Sequence, residues 1–139
     1  MSGDLTERLL AHFVGGHWRA PLSERMLDLP GGGRIVCANA SDAVRAVGLC
    51  APDAGVLIWQ AAHPEAAVIA RVHDMIATAG GCILLPAPAL ALAALRVWAT
   101  IIATTPVRHD IALLQGDALS QAAFTTLSGI SRIDRLAGS

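Results

Sequence analysis

From residue 55 onward, short runs of apolar residues alternate with stretches whose apolar positions recur at helical spacing. Gly55-Val-Leu-Ile-Trp59 is apolar throughout, as expected of a strand covered on both faces. Pro64 and Glu65 suit a first helical turn, where a missing N–H costs nothing and a carboxylate favours the dipole. That helix is predicted to run to Ala79, with Val68, Val72, Met75 and Ile76 on one stripe and Gly80-Gly81 closing it. Cys82-Ile-Leu-Leu85 reads as a second strand, stopped by Pro86-Ala-Pro88. Leu90–Thr104 reads as a second helix, apolar almost all round except Arg96 and Thr100, and is expected to be buried on most sides. Asp110–Leu114 is a third strand, Gln115-Gly-Asp117 a turn, Ala118–Leu127 a third helix closed by Gly129, and Arg132–Ser139 a fourth strand. The series β-α-β-α-β-α-β over residues 55–139 predicts an α/β fold, a three-layer Rossmann-like parallel sheet with right-handed crossovers.

The first 54 residues follow a different pattern. Residues 4–13 suit a short amphipathic helix, with Leu5, Leu9 and Leu10 on one side. Phe13-Val-Gly-Gly-His-Trp-Arg19 places a Gly-Gly turn between two short strands, and Met26–Leu29 is expected to be their partner. Pro30-Gly-Gly-Gly33 breaks the chain before another strand, Arg34–Ala38. The triple glycine lies between two strands, not between a strand and a helix, so it reads as a turn and not a phosphate loop. Ser41–Val47 is a short helix that Asn39 or Ser41 can cap and Gly48 can end. Residues 1–139 are therefore expected to form one domain: an N-terminal β element with a short helix over 1–54, and the Rossmann-like core over 55–139.

Composition narrows the function classes. The hydrophobic fraction is 54% and the charged fraction 15%, against about 45–50% and about 25% in ordinary domains. So little polar surface predicts a protein partner or a homo-oligomer. It does not predict a membrane span. The longest apolar stretches are broken by Pro86, Pro88 and Arg96, and none reaches the roughly 20 residues a bilayer requires. The N-terminus, MSGDLTERLLAHF, lacks the basic start and apolar core of a signal peptide, and a cytoplasmic location is expected. With a net charge of −1 and no basic run, nucleic acid is not an expected partner. Every basic residue is arginine, which removes P-loop and Schiff-base lysine chemistry. Cys37, Cys50 and Cys82 show no CxxC spacing and read as buried free thiols. The histidines, His63, His73 and His109 among them, form no i,i+3 or i,i+4 pair, and no metal is expected.

Ligands on parallel sheets bind beyond the carboxyl ends of the strands. Those ends are Trp59-Gln60, Leu85-Pro86, Gln115-Gly116 and Ala137–Ser139. Trp59 and Trp98 read as core or interface anchors and Asp117 as a helix cap. Ser139 with His63 would be a poorly held nucleophile and base, and no catalytic residue is assigned.

The ordered set of segments resembles a known family. Phe13–Arg19 followed by Leu27-Asp28, and Pro30–Val36 followed by Ala40–Val47, are similar to the N-terminal stretch of the aldehyde dehydrogenase superfamily. Ile58-Trp-Gln-Ala-Ala-His-Pro64 sits where that family has I-x-PWNFP. Ile83–Pro88 resembles its VVLKPSE, Leu114–Asp117 its VTGDG, and Ile133–Ser139 its DKIAFTGS. The resemblance covers the N-terminal, NAD-binding half of the family and is degenerate. The family's long helical segment between the equivalents of Cys50 and Gly55 is reduced to a few residues.

The resemblance implies what is missing as well as what is kept. The family's nucleophilic cysteine, general-base glutamate and catalytic domain all fall after Ser139 in its pattern. Its oxyanion-hole asparagine corresponds to Ala62, its ribose-contacting lysine to Leu85, a nearby glutamate to Pro88, and a cofactor-approach glycine to Ala118. The expectation is a domain that has lost its chemistry and kept its core, with its boundary at Ser139 and no cofactor. It would act as a structural, oligomerisation or partner-binding module, as the Rossmann half does in the family's dimers and as non-catalytic domains do in bifunctional proline-catabolic enzymes. The alternative is an NAD- or NADP-binding subunit of an aldehyde oxidoreductase completed by another chain. In that case Trp59, Gln60, Pro86, Gly116, Gly138 and Ser139 would face the cofactor.

Overall fold

The two apolar runs Gly55–Trp59 and Cys82–Pro86 are buried at every residue and pair in parallel, Gly55 opposite Cys82 and Trp59 opposite Pro86. They form the centre of the sheet in a computed structural model that describes residues 8–29, 32–50, 53–105, 109–125 and 132–136. In chain order the strands are β1 (His12–Val14), β2 (His17–Arg19), β3 (Met26–Asp28), β4 (Arg34–Val36), β5 (Gly55–Trp59), β6 (Cys82–Pro86), β7 (Ile111–Leu113) and β8 (Ile133–Leu136). The helices are α1 (Ala40–Leu49), α2 (Glu65–Ala79), α3 (Ala91–Thr104) and α4 (Ala118–Thr125), with a 3-10 turn at Pro88–Leu90.

The main sheet runs β2-β1-β7-β6-β5-β8. Its β7-β6-β5-β8 portion is wholly parallel, as predicted for the alternating strands and helices. Side chains along these strands alternate faces. Leu57, Trp59, Cys82, Leu84, Ile111 and Leu113 pack with α2 and α3 on one side. Val56, Ile58, Ile83, Leu85, Ala112 and Leu114 pack with α1 and α4 on the other. This is the expected three-layer arrangement.

The helix ends follow the sequence closely. Pro64 precedes α2, and Gly80 closes it in the left-handed conformation at φ 84°. Asn39, not Ser41, caps α1: its side chain accepts from the Asp42 N–H, and the Asp42 carboxylate accepts from the Asn39 N–H. Gly48 does not end that helix, which continues to Leu49. Helix α3 is less buried than its composition suggests. Its inner stripe is Ala91, Ala94, Leu95, Val97, Trp98 and Ile101, whereas Ala99 and Ala103 face outward beside Arg96 and Thr100. Alanine counts as apolar but is small enough to sit in water at little cost.

Two expectations for the N-terminal part are corrected. The predicted helix does not reach residue 13, because His12–Val14 is a buried strand. Tertiary pairing decides this: Phe13 lies opposite Trp18 in a hairpin and opposite Leu113 in the main sheet. The Met26–Asp28 strand does not join that hairpin. It pairs with Arg34–Val36 across the glycine turn, Met26 opposite Val36. The N-terminal β element itself divides: β1 and β2 extend the main sheet, and β3 and β4 form a separate two-stranded sheet.

A buried polar node holds this extension in place. The Gln115 N–H donates to His12 Nδ1 at 3.2 Å, so the proton of the neutral imidazole is on Nε2, 3.8 Å from Asp42 Oδ2. Asp42 is fully buried and accepts from the Leu22 N–H at 2.8 Å and the Asn39 N–H at 3.1 Å, with Arg45 at 3.4 Å. Burial lowers the His12 pKa to about 4, outweighing the pull of Asp42. A base whose folded pKa lies below its unfolded value opposes folding in acid. Stability is expected to be full above pH 6.5 and to fall by up to roughly 3 kcal/mol as pH drops towards 4. Urea unfolding across that range checks this. An His12→Asn variant, whose amide oxygen can still accept from Gln115, should show a shallower pH slope.

Candidate functional site at the strand ends

The carboxyl ends of β5, β6 and β7 form one rim of the sheet, and the chain fills much of it with its own groups. At the end of β5, Trp59 is buried and its indole N–H donates to the Ala61 carbonyl at 2.8 Å. The Trp59 carbonyl accepts from the Ala87 N–H at 2.8 Å, which fixes the chain leaving β6. Gln60 is exposed, but its backbone N–H and that of Ala61 both point to the Leu136 carbonyl, at 3.0 and 3.3 Å. Pro86 is buried and has no N–H to offer. Gly138 and Ser139 lie outside the described residues.

The end of β7 is roofed by the β3–β4 element. The Ala38 N–H donates to the Gln115 carbonyl at 2.9 Å, and the Ser120 hydroxyl donates to the Ala38 carbonyl at 2.7 Å. Asp117 caps α4 as the sequence suggests, accepting from the N–H groups of Leu119 and Ser120 at 3.1 and 3.2 Å. It also receives both guanidinium arms of Arg25, at 2.5 and 3.0 Å. That charged hydrogen bond, more than the backbone donors, holds the Asp117 carboxyl below the usual range. Gly116 is the glycine this packing needs: a methyl there would run into the Ser120 side chain.

None of the thiols is poised for chemistry. Cys37, Cys50 and Cys82 are buried and unpaired by disulfides. Burial raises the pKa of each, to about 12 for Cys50, so they carry protons at neutral pH. Among the described residues, no group of three His, Cys, Asp or Glu side chains converges as a metal site would need. Leu85 is buried in the α1/α4 face, Pro88 opens the 3-10 turn, and Ala62 and Ala118 are exposed with no side-chain donor. Sequence reasoning did not find the Arg25–Asp117 pair, which joins residues 92 positions apart. It also missed His12. No local pattern marks either; only the Gly-Asp-x-x-Ser run of residues 116–120 hinted at a capped helix start.

If the rim at β7 is packed as described, Gly116→Ala should destabilise the protein by about 1–3 kcal/mol. Urea unfolding measures it; a neutral substitution would mean that the space before Gly116 is open. No helix among the described residues is long and apolar enough to cross a membrane. No protein-family model and no curated protein sequence matches the chain. The fold is similar to that of aldehyde dehydrogenase C from Pseudomonas syringae, solved in a mutant form with NAD+ and octanal. The TM-score is 0.77 at 15% identity, over 93% of this chain and 45% of that one. At that identity the likeness is one of fold, and this chain spans less than half the length of the dehydrogenase.

Proposed function

We propose that the chain is a non-catalytic, aldehyde-dehydrogenase-like domain that works as an oligomerisation or partner-binding module. The observation that carries this reading is the filled rim. Ser120 occupies the space before Gly116, and the Arg25–Asp117 pair clamps the β3–β4 element over β7. The residues at the described strand ends do not fit a dinucleotide. The backbone donors of Gln60, Ala61 and Ala87 are already bonded within the chain, and a pyrophosphate needs such donors free.

Exposed apolar side chains support the binding role. Leu22, Val44, Leu49 and Leu119 are each more than two-fifths exposed on or beside the α1/α4 layer, and Met26 follows Arg25, which reaches the start of α4. Side chains of this kind on a low-charge surface favour association. Three buried free thiols suit the reducing cytoplasm, the compartment proposed here.

The second reading is an NAD- or NADP-binding subunit. It is favoured by the first turn of α2 beyond β5, which carries no side-chain cap, and by the fold shared with a chain solved with NAD+. Two measurements separate the readings. Light scattering on the purified protein should give a mass above 14.3 kDa, that of one chain. Thermal unfolding should not move with NAD or NADP, whereas a bound cofactor at 100 times its Kd would stabilise by about 2.7 kcal/mol. A monomer at high concentration that is stabilised by NAD would reverse the proposal.

A further inference from the structure

A second concavity lies beside the β1–β2 hairpin, at the edge of the main sheet. It is a groove of about 350 Å³ between the β1–β2 hairpin and the outer side of α3, lined by Arg8, Phe13, His17, Trp18, Ala99 and Ile102, with Gly16 at its edge. Gly16 stands close to the backbone of His109, just before β7 begins, and Phe13 lies opposite Leu113 at the end of that strand, so the groove runs along the hairpin edge of the sheet. Nothing in it is shared with the residues at Gln60, Pro86 or Gly116.

Its chemistry is asymmetric. Trp18 is half-buried and packs edge-on against Phe13, with ring centroids 5.4 Å apart. Phe13 is backed in turn by the buried Trp98 at 6.1 Å. The aromatic wall is therefore held by the core. Across from it, Ala99 and Ile102 of α3 add small apolar surface. Among the described residues, its polar side chains are Arg8 and His17. The Arg8 guanidinium lies 5.2 Å from the centroid of the Trp18 ring, and the His17 imidazole is exposed beside it. Arg25, Arg34, Arg45, Arg71, Arg96 and Arg132 each meet a carboxylate, whereas Arg8, like Arg19 and Arg135, meets none among the described residues. A guanidinium resting on an indole face keeps its N–H edge free and pre-oriented for a planar anion.

We propose that this groove binds a small aromatic carboxylate. The carboxylate takes the N–H edge of Arg8 with His17 as a second donor, and the ring lies between Trp18 and the Ile102–Ala99 wall. The volume is at the low end of ligand sites, which run from about 300 to 1,000 Å³, so a compact ligand is the one that fits. The apolar wall supplies affinity through ring contact, and the charged end selects acid over neutral amide or alcohol.

The test is a titration of the purified protein with benzoate, phenylacetate and indole-3-acetate, followed by amide and indole NMR shifts. Saturable shifts at residues 13–18 are expected, with the neutral partner benzamide at least about tenfold weaker. Arg8→Gln should weaken the acids by a similar factor. Arg8 is exposed and Arg8→Gln gives up only the guanidinium contact with the Trp18 ring, so the variant should stay folded with a small drop in melting temperature, which is measured beside the titration. Trp18→Leu should also weaken binding, through loss of the ring. The inference is overturned if none of the acids gives saturable shifts at millimolar concentration, if benzamide binds as well as benzoate, or if a folded Arg8→Gln binds as the wild type does.

Discussion

One buried carboxylate organises the joint between the two parts of this chain. Asp42 has no contact with water, and a charged group in that position must be surrounded by donors or it costs several kcal/mol. It is supplied by Leu22, Asn39 and Arg45, with His12 close by. Each donor belongs to a different stretch of backbone or a different turn of α1. Satisfying Asp42 therefore fixes where the hairpin ends, where α1 starts and how the intervening strap crosses. With the strap fixed, Arg25 falls within reach of Asp117, and the β3–β4 element is drawn over the end of β7. The filled rim is thus a consequence of polar bookkeeping some distance from it.

The two faces of the sheet are built from different materials. The α2/α3 face holds the bulk, with Trp59, Trp98 and Met75 filling the space under two long helices. The α1/α4 face is lined by Ala38, Ala43, Ala46, Ala54 and Ala112, with Phe124 as its one large ring. Small residues let short helices approach closely, but they bury little area at about 25 cal/mol per Å². Val44, Leu49 and Leu119 are exposed on that thinner side, whereas α3 on the other side leaves Leu92 exposed. The outer residues of α1 and α4 have no further layer above them.

Much of the parallel core is legible because β5, β6 and β7 are continuous apolar runs and the helix Glu65–Ala79 carries a proline and an acidic residue at its start and a glycine at its end. Those signals are local, and local signals decide strands such as Gly55–Trp59 and helices such as Glu65–Ala79. Where the outcome rests on pairing between distant segments, the same reasoning failed. His12–Val14 reads as the end of a helix until Leu113 is placed beside it. Met26–Asp28 has the same alternation whichever strand it joins, and the glycine turn that follows chooses for it. At the rim, Asp117 was readable as a cap. Gly116 reads equally well as a glycine for a ligand or for a neighbouring side chain, and only the position of Ser120 decides between them.

The three thiols sit at three different joints. Cys37 lies under the β3–β4 roof, Cys50 ends α1, and Cys82 begins β6 in the centre of the sheet. Each sulfur is inert while its own joint is closed, since it is protonated and out of reach of solvent. The molecule thus carries three internal clocks. A thiol reagent would mark first whichever joint opens first, and the order of marking would trace how the structure comes apart.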